Sequence, residues 1–430
     1  MGIKNYLTNI TNTFKNITSN IVPKNIDYLC IDLNTILHQV TIKSNTESQF
    51  KNNLYYELNN LNKKITPKFL AIFIDGQAVL AKVKTQIKRR RKYLYQECNN
   101  LSSLCLTPGT VFMDLVDDII NEYLQNLNIE TYYSDSKENN EGEIKLFNWL
   151  IKNKFYNNIC IVGNDADIIV LALSNIPLLH VYIYNNKEFI SLFRLIDSMA
   201  KISNKTFDYK YHPIRQDFVL LSLLQGNDYN NSLASFNNVL NSYTKLLKNN
   251  KFLISKDGNI NLNNFKLLLQ NMKRNNEIIY PKLNVNNYFN SLLWNLKLYK
   301  GFTIPNYIPV YKINISTILN YYPKKNNFPI IDIKWQHPDT YLLLLLPLTG
   351  KKYLPNRLKK YMEDESPIKD LFPEPCKECI KFKSKINEFK DSEDTAIIGQ
   401  INEEYKKHLN NFHNFDDLPI ERINAALSVI

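Results

Sequence analysis

No apolar stretch in the 430 residues reaches the roughly 20 needed to cross a bilayer as a helix. The longest aliphatic run, YLLLLLPL (341–348), is too short and reads as a buried helix. The start, MGIKNYLTNI, lacks the apolar core of a signal peptide, and Tyr6 stands where a myristoylation signal needs Ser or Thr. Cysteine is limited to six scattered residues, and Cys30 and Cys160 fall inside strand-like apolar runs. That suits reduced thiols, so a soluble intracellular protein is expected, in the cytoplasm or alternatively the nucleus, with no membrane partner. Glycine is scarce as well, at ten residues. Acid is missing from one long interval: none separates Asp75 from Glu97, and inside it lies KVKTQIKRRRK (82–92) with seven cations.

What is present is positive charge and a folded composition. Net charge is +12 with a pI near 9.1, which points to a polyanionic partner such as nucleic acid. Heavy use of Asn, Ile, Lys and Tyr reflects AT-rich coding in part, so some of the lysine excess carries no chemistry. Apolar runs IDYLCIDL (26–33), FLAIFID (69–75), ICIVG (159–163) and LLHVYIY (178–184) read as buried parallel strands. Helical periodicity fills the intervals, as in VFMDLVDDIINEYLQNL (111–127) and EIKLFNWLIKNK (143–154). The alternation predicts an α/β fold with a mainly parallel sheet flanked by helices, followed by a largely helical C-terminal region. The expected division is 1–300, with the α/β core to about 205 and helices completing the site, then 301–430. Segment 380–412 is polar and charged, and no core is expected there.

The few glycines sit beside acids: Asp75-Gly76, Glu141-Gly142-Glu143, Gly163-Asn164-Asp165-Ala166-Asp167 and Gly226-Asn227-Asp228. Placed at the ends of apolar runs, such turns deliver carboxylates to the carboxyl edge of a parallel sheet, where ligands bind. Asp32 ends the first run, Glu141 and Glu143 open a helix, and Asp228 follows one. For any single Asp-Gly, a cap or turn is the default reading; for the whole set it weakens. Seven carboxylates in one crevice repel each other unless cations intervene, and oxygen-only ligation favours Mg²⁺ or Mn²⁺ over Zn²⁺. A pair of such ions is the usual apparatus for phosphodiester hydrolysis. On a helix, Lys82, Gln86, Arg89 and Arg90 share one face suited to a phosphate, against the plain alternative of a solvated charge run.

These residues resemble the XRN-type 5′→3′ exoribonucleases, relatives of the flap endonucleases within the PIN-like nucleases. The resemblance is carried by MGI at the start, CIDLNTILH (30–38), IDGQAVLAKVKTQIKRRR (74–91), LTPGTVFM (106–113), NNEGEIK (139–145), GNDADIIVL (163–171) and DFVLLSLLQGNDY (217–229). LLWNLKLYKG (292–301) and LLPLTGKKYLP…SPIKDLFP (345–373) extend it. It implies a PIN-like nuclease core with catalytic, metal-binding acids at Asp32, Asp75, Glu141, Glu143, Asp165, Asp167 and Asp228. It implies two Mg²⁺ ions, replaceable by Mn²⁺, and a 5′-monophosphate pocket from Lys82, Gln86, Arg89 and Arg90. His38 matches the position whose ring stacks on the terminal nucleotide, although a lone His in an apolar stretch is by default structural. The implied activity is stepwise hydrolysis of 5′-monophosphorylated single-stranded RNA to mononucleotides, in RNA turnover, by a monomer whose protein partners the sequence does not name.

Departures from the family pattern are Val79-Leu80 for Pro-Arg, Asn139-Asn140 for Pro-Gly, and Tyr229-Asn230-Asn231 for Phe-Ile/Leu-Pro. The chain ends early against the large cytoplasmic members, and a compact AT-rich version is the kind a virus would encode. One rival is a flap-type structure-specific 5′ DNA nuclease, but the duplex-binding helix-hairpin-helix signature of that group is not evident after Asp228. Another is a non-catalytic RNA 5′-end-binding relative, but such relatives lose acids and none is lost here. Cys376-x-x-Cys379 with His408 and His413 downstream is spaced far more widely than a zinc finger, so surface thiols are the expected reading and a zinc site the alternative.

Overall fold

The computed structural model describes residues 3, 5–91, 101–156, 158–175, 177–185, 187–202, 213–255, 257–273, 277–307, 312–324, 334–374, 376–389, 395–412 and 418–428, without the side chains of 387, 395, 396 and 410–412. Met1, Gly2, Lys92, Glu97 and His413, all named above, lie outside the described residues. The chain forms two compact units, each assembled from separated stretches: Met1–Ile36, Tyr56–Lys82 and Leu124–Trp335 make the first, and Leu37–Tyr55, Val83–Tyr123 and Gln336–Ile430 the second.

The first unit holds a seven-stranded sheet: β1 (Thr18–Ser19), β2 (Tyr28–Asp32), β3 (Phe69–Phe73), β4 (Glu130–Ser134), β5 (Ile159–Val162), β6 (Val181–Tyr184) and β7 (Phe189–Ser191). Their order is β1-β7-β6-β5-β2-β3-β4. β2, β3, β4, β5 and β6 pair in parallel, and β7 and β1 close one edge antiparallel. The four expected strands are present. β2 and β5 lie at the centre, and Leu29, Cys30, Ile31, Cys160 and Ile161 are fully buried, as unbroken apolar runs covered on both faces require. β4 was not legible as a strand because ETYYS is polar and half-exposed at the other edge.

Helices flank this sheet. Gly142–Lys152 packs on β2 and β3 through Ile144, Phe147 and Leu150. Asp167–Ser174 packs on Ile214–Leu224, which in turn contacts Phe236–Leu247 and Lys282–Leu298. Asp217 fastens two of these elements from inside: it accepts hydrogen bonds from the Tyr243 hydroxyl at 2.6 Å and from the Leu253 and Ile254 amides at 2.8 and 2.7 Å. Burial pushes its carboxyl up to about 7 despite those donors.

The second unit is helical. The helix Pro338–Leu345 buries the leucine run and packs on Ile420–Ser428. Helices are present here as expected, but 380–412, where no core was expected, carries two of them, Lys377–Glu388 and Thr395–Phe412, that pack together. Their apolar residues are sparse but spaced for one face each, with Cys379, Phe382 and Ile386 on one and Ile401 and Tyr405 on the other. The Phe382 and Tyr405 rings lie 5.6 Å apart. The surface-thiol reading is corrected too: Cys379 is fully buried and Cys376 half-buried. Among the described residues no helix is long and apolar enough to cross a membrane.

Candidate active site

β2 ends at Asp32, and β3 ends two residues before Asp75, so neighbouring parallel strands deliver two carboxylates side by side. Asn34 bridges them. Its amide nitrogen donates to Asp32 Oδ1 and to Asp75 Oδ1, both at 2.7 Å, while its oxygen accepts from the Asp75 backbone at 3.1 Å. The Gly142 amide, at the start of the helix on β2 and β3, donates to the same Asp75 oxygen at 2.7 Å. A Cβ at Gly142 would stand 2.9 Å from Asp32 Oδ1 and 3.0 Å from Asn34 Nδ2, so only glycine allows this approach.

Glu141 occupies the N-cap of that helix but caps nothing with its side chain. Its carboxylate turns instead to Lys82 Nζ at 2.6 Å and to the Tyr229 hydroxyl, which donates at 2.9 Å. Lys82 Nζ also lies 3.0 Å from Asp228 Oδ2. Beyond β5, Asp165 Oδ1 accepts from the Asp167 amide at 3.2 Å, and Asp167 Oδ1 accepts from the Tyr299 hydroxyl at the same distance. Asp228 follows Ile214–Leu224 by four residues. Its turn is pinned by Asn227, whose oxygen accepts from the Tyr229 and Asn230 amides at 3.0 and 2.8 Å and whose nitrogen donates to Asn295 Oδ1 and the Tyr299 hydroxyl.

The seven expected acids therefore meet in the first unit, and Lys82 is among them. Five of them form two groups, Asp32–Asp75–Glu143 and Glu143–Asp165–Asp167, with ligand oxygens within 4.8 Å of one another in each group. Glu143 belongs to both; Glu141 and Asp228 are instead held by Lys82. Asp32, Glu143 and Asp167 are buried, with 5%, 7% and 2% of their surface exposed. Burial and then the neighbouring carboxylates push Asp32 and Asp167 up to about 7 and Glu143 well above the carboxylate range. Burial works against the Lys82 cation too, but Glu141, Tyr229 and Asp228 more than offset it and raise its pKa. Crowded carboxylates this averse to ionising, with oxygen donors alone around them, fit a pair of hard divalent cations.

The remaining predicted residues lie in the second unit, although Lys82 and Gln86 share one helix, Leu80–Arg91. The Gln86 side-chain oxygen accepts from the Tyr341 hydroxyl at 2.8 Å. Arg90 Nε donates to Thr107 Oγ1 at 2.8 Å, so the TPGT turn orients that guanidinium. Arg89 is half-buried. His38 Nδ1 lies 3.4 Å from Ser103 Oγ. Crowding by neighbouring atoms, and then the charges of Arg90 and Arg89, lower the His38 pKa although its ring surface is open to solvent.

Sequence reasoning passed over Asn34, Tyr229, Tyr299 and Asn227, the groups that hold the acids in place. Asn34 was signalled by its position two residues after Asp32, and Tyr229 had been noted only as a departure from the family pattern. Tyr299 carried no local signal.

A mainly parallel sheet with carboxylates gathered at the carboxyl ends of its strands is the arrangement that the sequence led one to expect. The family model described as "XRN 5'-3' exonuclease N-terminus" matches residues 1–99 and 91–186. The protein named "5'-3' exoribonuclease 1" in Saccharomyces cerevisiae is 25% identical over 346 residues, which takes in 63% of this chain and 22% of that protein. The Schizosaccharomyces pombe protein of the same name is 28% identical over 310 residues, 56% of this chain and 23% of its own length. The chain thus covers less than a quarter of either relative. Among solved structures, the catalytic core of Rad2 in complex with DNA substrate is 14% identical with a TM-score of 0.38, covering 82% of this chain and 97% of that one.

Proposed function

We propose that the chain is a 5′→3′ exoribonuclease that hydrolyses 5′-monophosphorylated single-stranded RNA stepwise to mononucleotides, using two Mg²⁺ ions or Mn²⁺ in their place. One observation carries this reading: two three-carboxylate groups joined at Glu143, built from residues as distant as Asp32 and Asp167. Divalent cations held by such carboxylates lower the pKa of an attacking water and stabilise the departing oxygen. Asp32, Asp75 and Glu143 would hold one ion, and Glu143, Asp165 and Asp167 the other. Asn34 and the Gly142 amide fix the Asp32 and Asp75 carboxylates, and Tyr299 fixes Asp167. Lys82 lies between Glu141 and Asp228, pairs with both and so offsets their mutual repulsion. The names of the two fungal relatives support RNA as substrate and 5′→3′ as the direction of attack.

Arg89 and Arg90, with Gln86 one turn before them on the same helix, supply directed donors for a terminal phosphate. The phosphate these donors would take is a monophosphate, a cap or a triphosphate being bulkier. His38 offers a ring for the first base.

The test compares 5′-phosphate, 5′-hydroxyl and 5′-triphosphate oligoribonucleotides, with a 5′-flap DNA duplex alongside, each with and without Mg²⁺. Release of mononucleotides from the 5′-phosphate RNA, only with Mg²⁺ and lost in Asp165→Ala, is the expected result. Equal attack on the triphosphate would refute the specificity, faster cutting of the flap would refute the substrate class, and an active Asp165→Ala would refute the mechanism.

A further inference from the structure

Three side chains unconnected with the acid cluster meet in the second unit. Cys376 immediately precedes the Lys377–Glu388 helix, Cys379 lies in its first turn, and His408 comes from the Thr395–Phe412 helix packed against it. The Cys376 sulfur is 3.3 Å from His408 Nε2. One ligand atom from each of the three residues lies within 4.8 Å of the other two. For tetrahedral zinc, with Zn–S and Zn–N bonds of about 2.3 and 2.0 Å, ligand atoms stand about 3.5–3.8 Å apart, so the cluster needs only small rotamer adjustments to close on an ion.

The surroundings suit thiolates. Both cysteines are in the thiol form and sit at the start of a helix, where unpaired backbone N–H groups favour negative sulfur. Cys379 is fully buried, and the Tyr405 hydroxyl, one helical turn before His408, hydrogen-bonds to its sulfur. Such an outer donor fixes a metal-bound thiolate in place. Two soft sulfurs and an imidazole select zinc over the hard cations that carboxylates prefer.

We propose that Cys376, Cys379 and His408 form a structural zinc site that staples the Lys377–Glu388 helix to the Thr395–Phe412 helix. The fourth coordination position is taken by water or by a further side chain, and binding releases both thiol protons to solvent. The need is physical: each helix is strongly charged and offers only a narrow apolar stripe to the other, so a metal cross-link supplies binding energy that their packing lacks.

The experiment uses the full chain purified without chelator. Elemental analysis should find about one zinc per chain, falling to near none in Cys376→Ser and Cys379→Ser but unchanged in Asp165→Ala. Replacement by Co²⁺ should give the thiolate-to-metal charge-transfer absorption and strong d–d bands of a tetrahedral sulfur site. Removing zinc with a zinc-selective chelator in excess Mg²⁺ should speed hydrogen exchange in peptides from 377–388 and 395–412 and leave the first unit unchanged. Three results would each overturn the proposal: a Cys376–Cys379 disulfide in the native protein, zinc retained equally by both cysteine variants, or two readily titrated thiols that zinc does not protect.

Discussion

Lys82→Met removes a cation from between two carboxylates without leaving a large void. The ammonium lies 2.6 Å from Glu141 and 3.0 Å from Asp228, and its side chain is only 4% exposed. Deleting one member of a buried ion cluster strands the others, at a cost of about 3–5 kcal/mol. At about 2–4 °C per kcal/mol for a unit of this size, the melting temperature should fall by roughly 6–20 °C. The deficit should depend on pH in a fixed direction. Without Lys82, Glu141 is less inclined to ionise, so the loss is largest above its pKa and shrinks as acid protonates the stranded carboxyls. Adding Glu141→Gln to Lys82→Met should recover part of the stability, and the double-mutant cycle isolates the coupling. Calorimetry at two pH values, without divalent cations, makes the measurement. The exposed pair Lys51–Glu122, at 2.7 Å, serves as a control whose Lys51→Met variant should hardly shift the melt. A Lys82→Met protein that melts with wild type at neutral pH would refute the assignment of this lysine as the internal counter-ion of the acids.

The acids themselves set the pH dependence of the cation-free protein. Asp32 and Asp167 rise from 3.8 to about 7 on folding, so the folded state binds more protons than the unfolded chain between those values. Stability should therefore fall as pH rises from about 4 to about 7, with roughly 4 kcal/mol at stake for either group alone, and saturating Mg²⁺ should flatten the slope. A thermal-melt series in buffer with and without Mg²⁺ tests both halves. Gly142→Ala forces a methyl to 2.9 Å from Asp32 Oδ1; nuclease activity should drop more than tenfold while the melt moves by only about 1–3 kcal/mol, as overpacking costs.

How much of this was legible in the sequence follows from how local each signal is. The strands around Leu29, Leu70 and Ile161 could be read because a strand buried on both faces must be apolar throughout. The acids could be read because each ends such a run or borders a glycine that lets the backbone come close. The edge strand Glu130–Ser134 escaped because it is only half-buried and its polar sequence reads as a loop. The packing of the two late helices against each other escaped because their stripes are narrow and their lysines and glutamates dominate the composition. Tyr299 escaped for a different reason: it reaches Asp167 across 132 positions, and no local pattern encodes so distant a partner. Lys82 was placed on the right helix, but its partners are acids that only the tertiary structure brings to it.

Asn140 shows how a departure from the family pattern can leave the backbone unchanged. The family has Pro-Gly where this chain has Asn139-Asn140, and Asn140 adopts φ +93°, a conformation in which a side chain is strained. Its backbone oxygen accepts from Gly76 at 2.9 Å and its amide donates to Gln77 at 2.8 Å, so the residue ties the Asp75-Gly76 turn to the start of the Glu141–Glu143 segment. The side-chain oxygen compensates part of the strain by accepting from the Thr303 hydroxyl at 3.1 Å. Asn140→Gly would relieve about 1 kcal/mol or more of strain and lose a hydrogen bond worth about 1 kcal/mol, for a net change near zero. Asn140→Ala keeps the Cβ and loses the bond, so it should cost at least about 1 kcal/mol. Glycine should thus be better tolerated than alanine in both stability and cleavage rate, the reverse of their order at ordinary positions. If alanine matched or exceeded glycine in a paired denaturation and activity assay, the positive φ would not be what this turn requires.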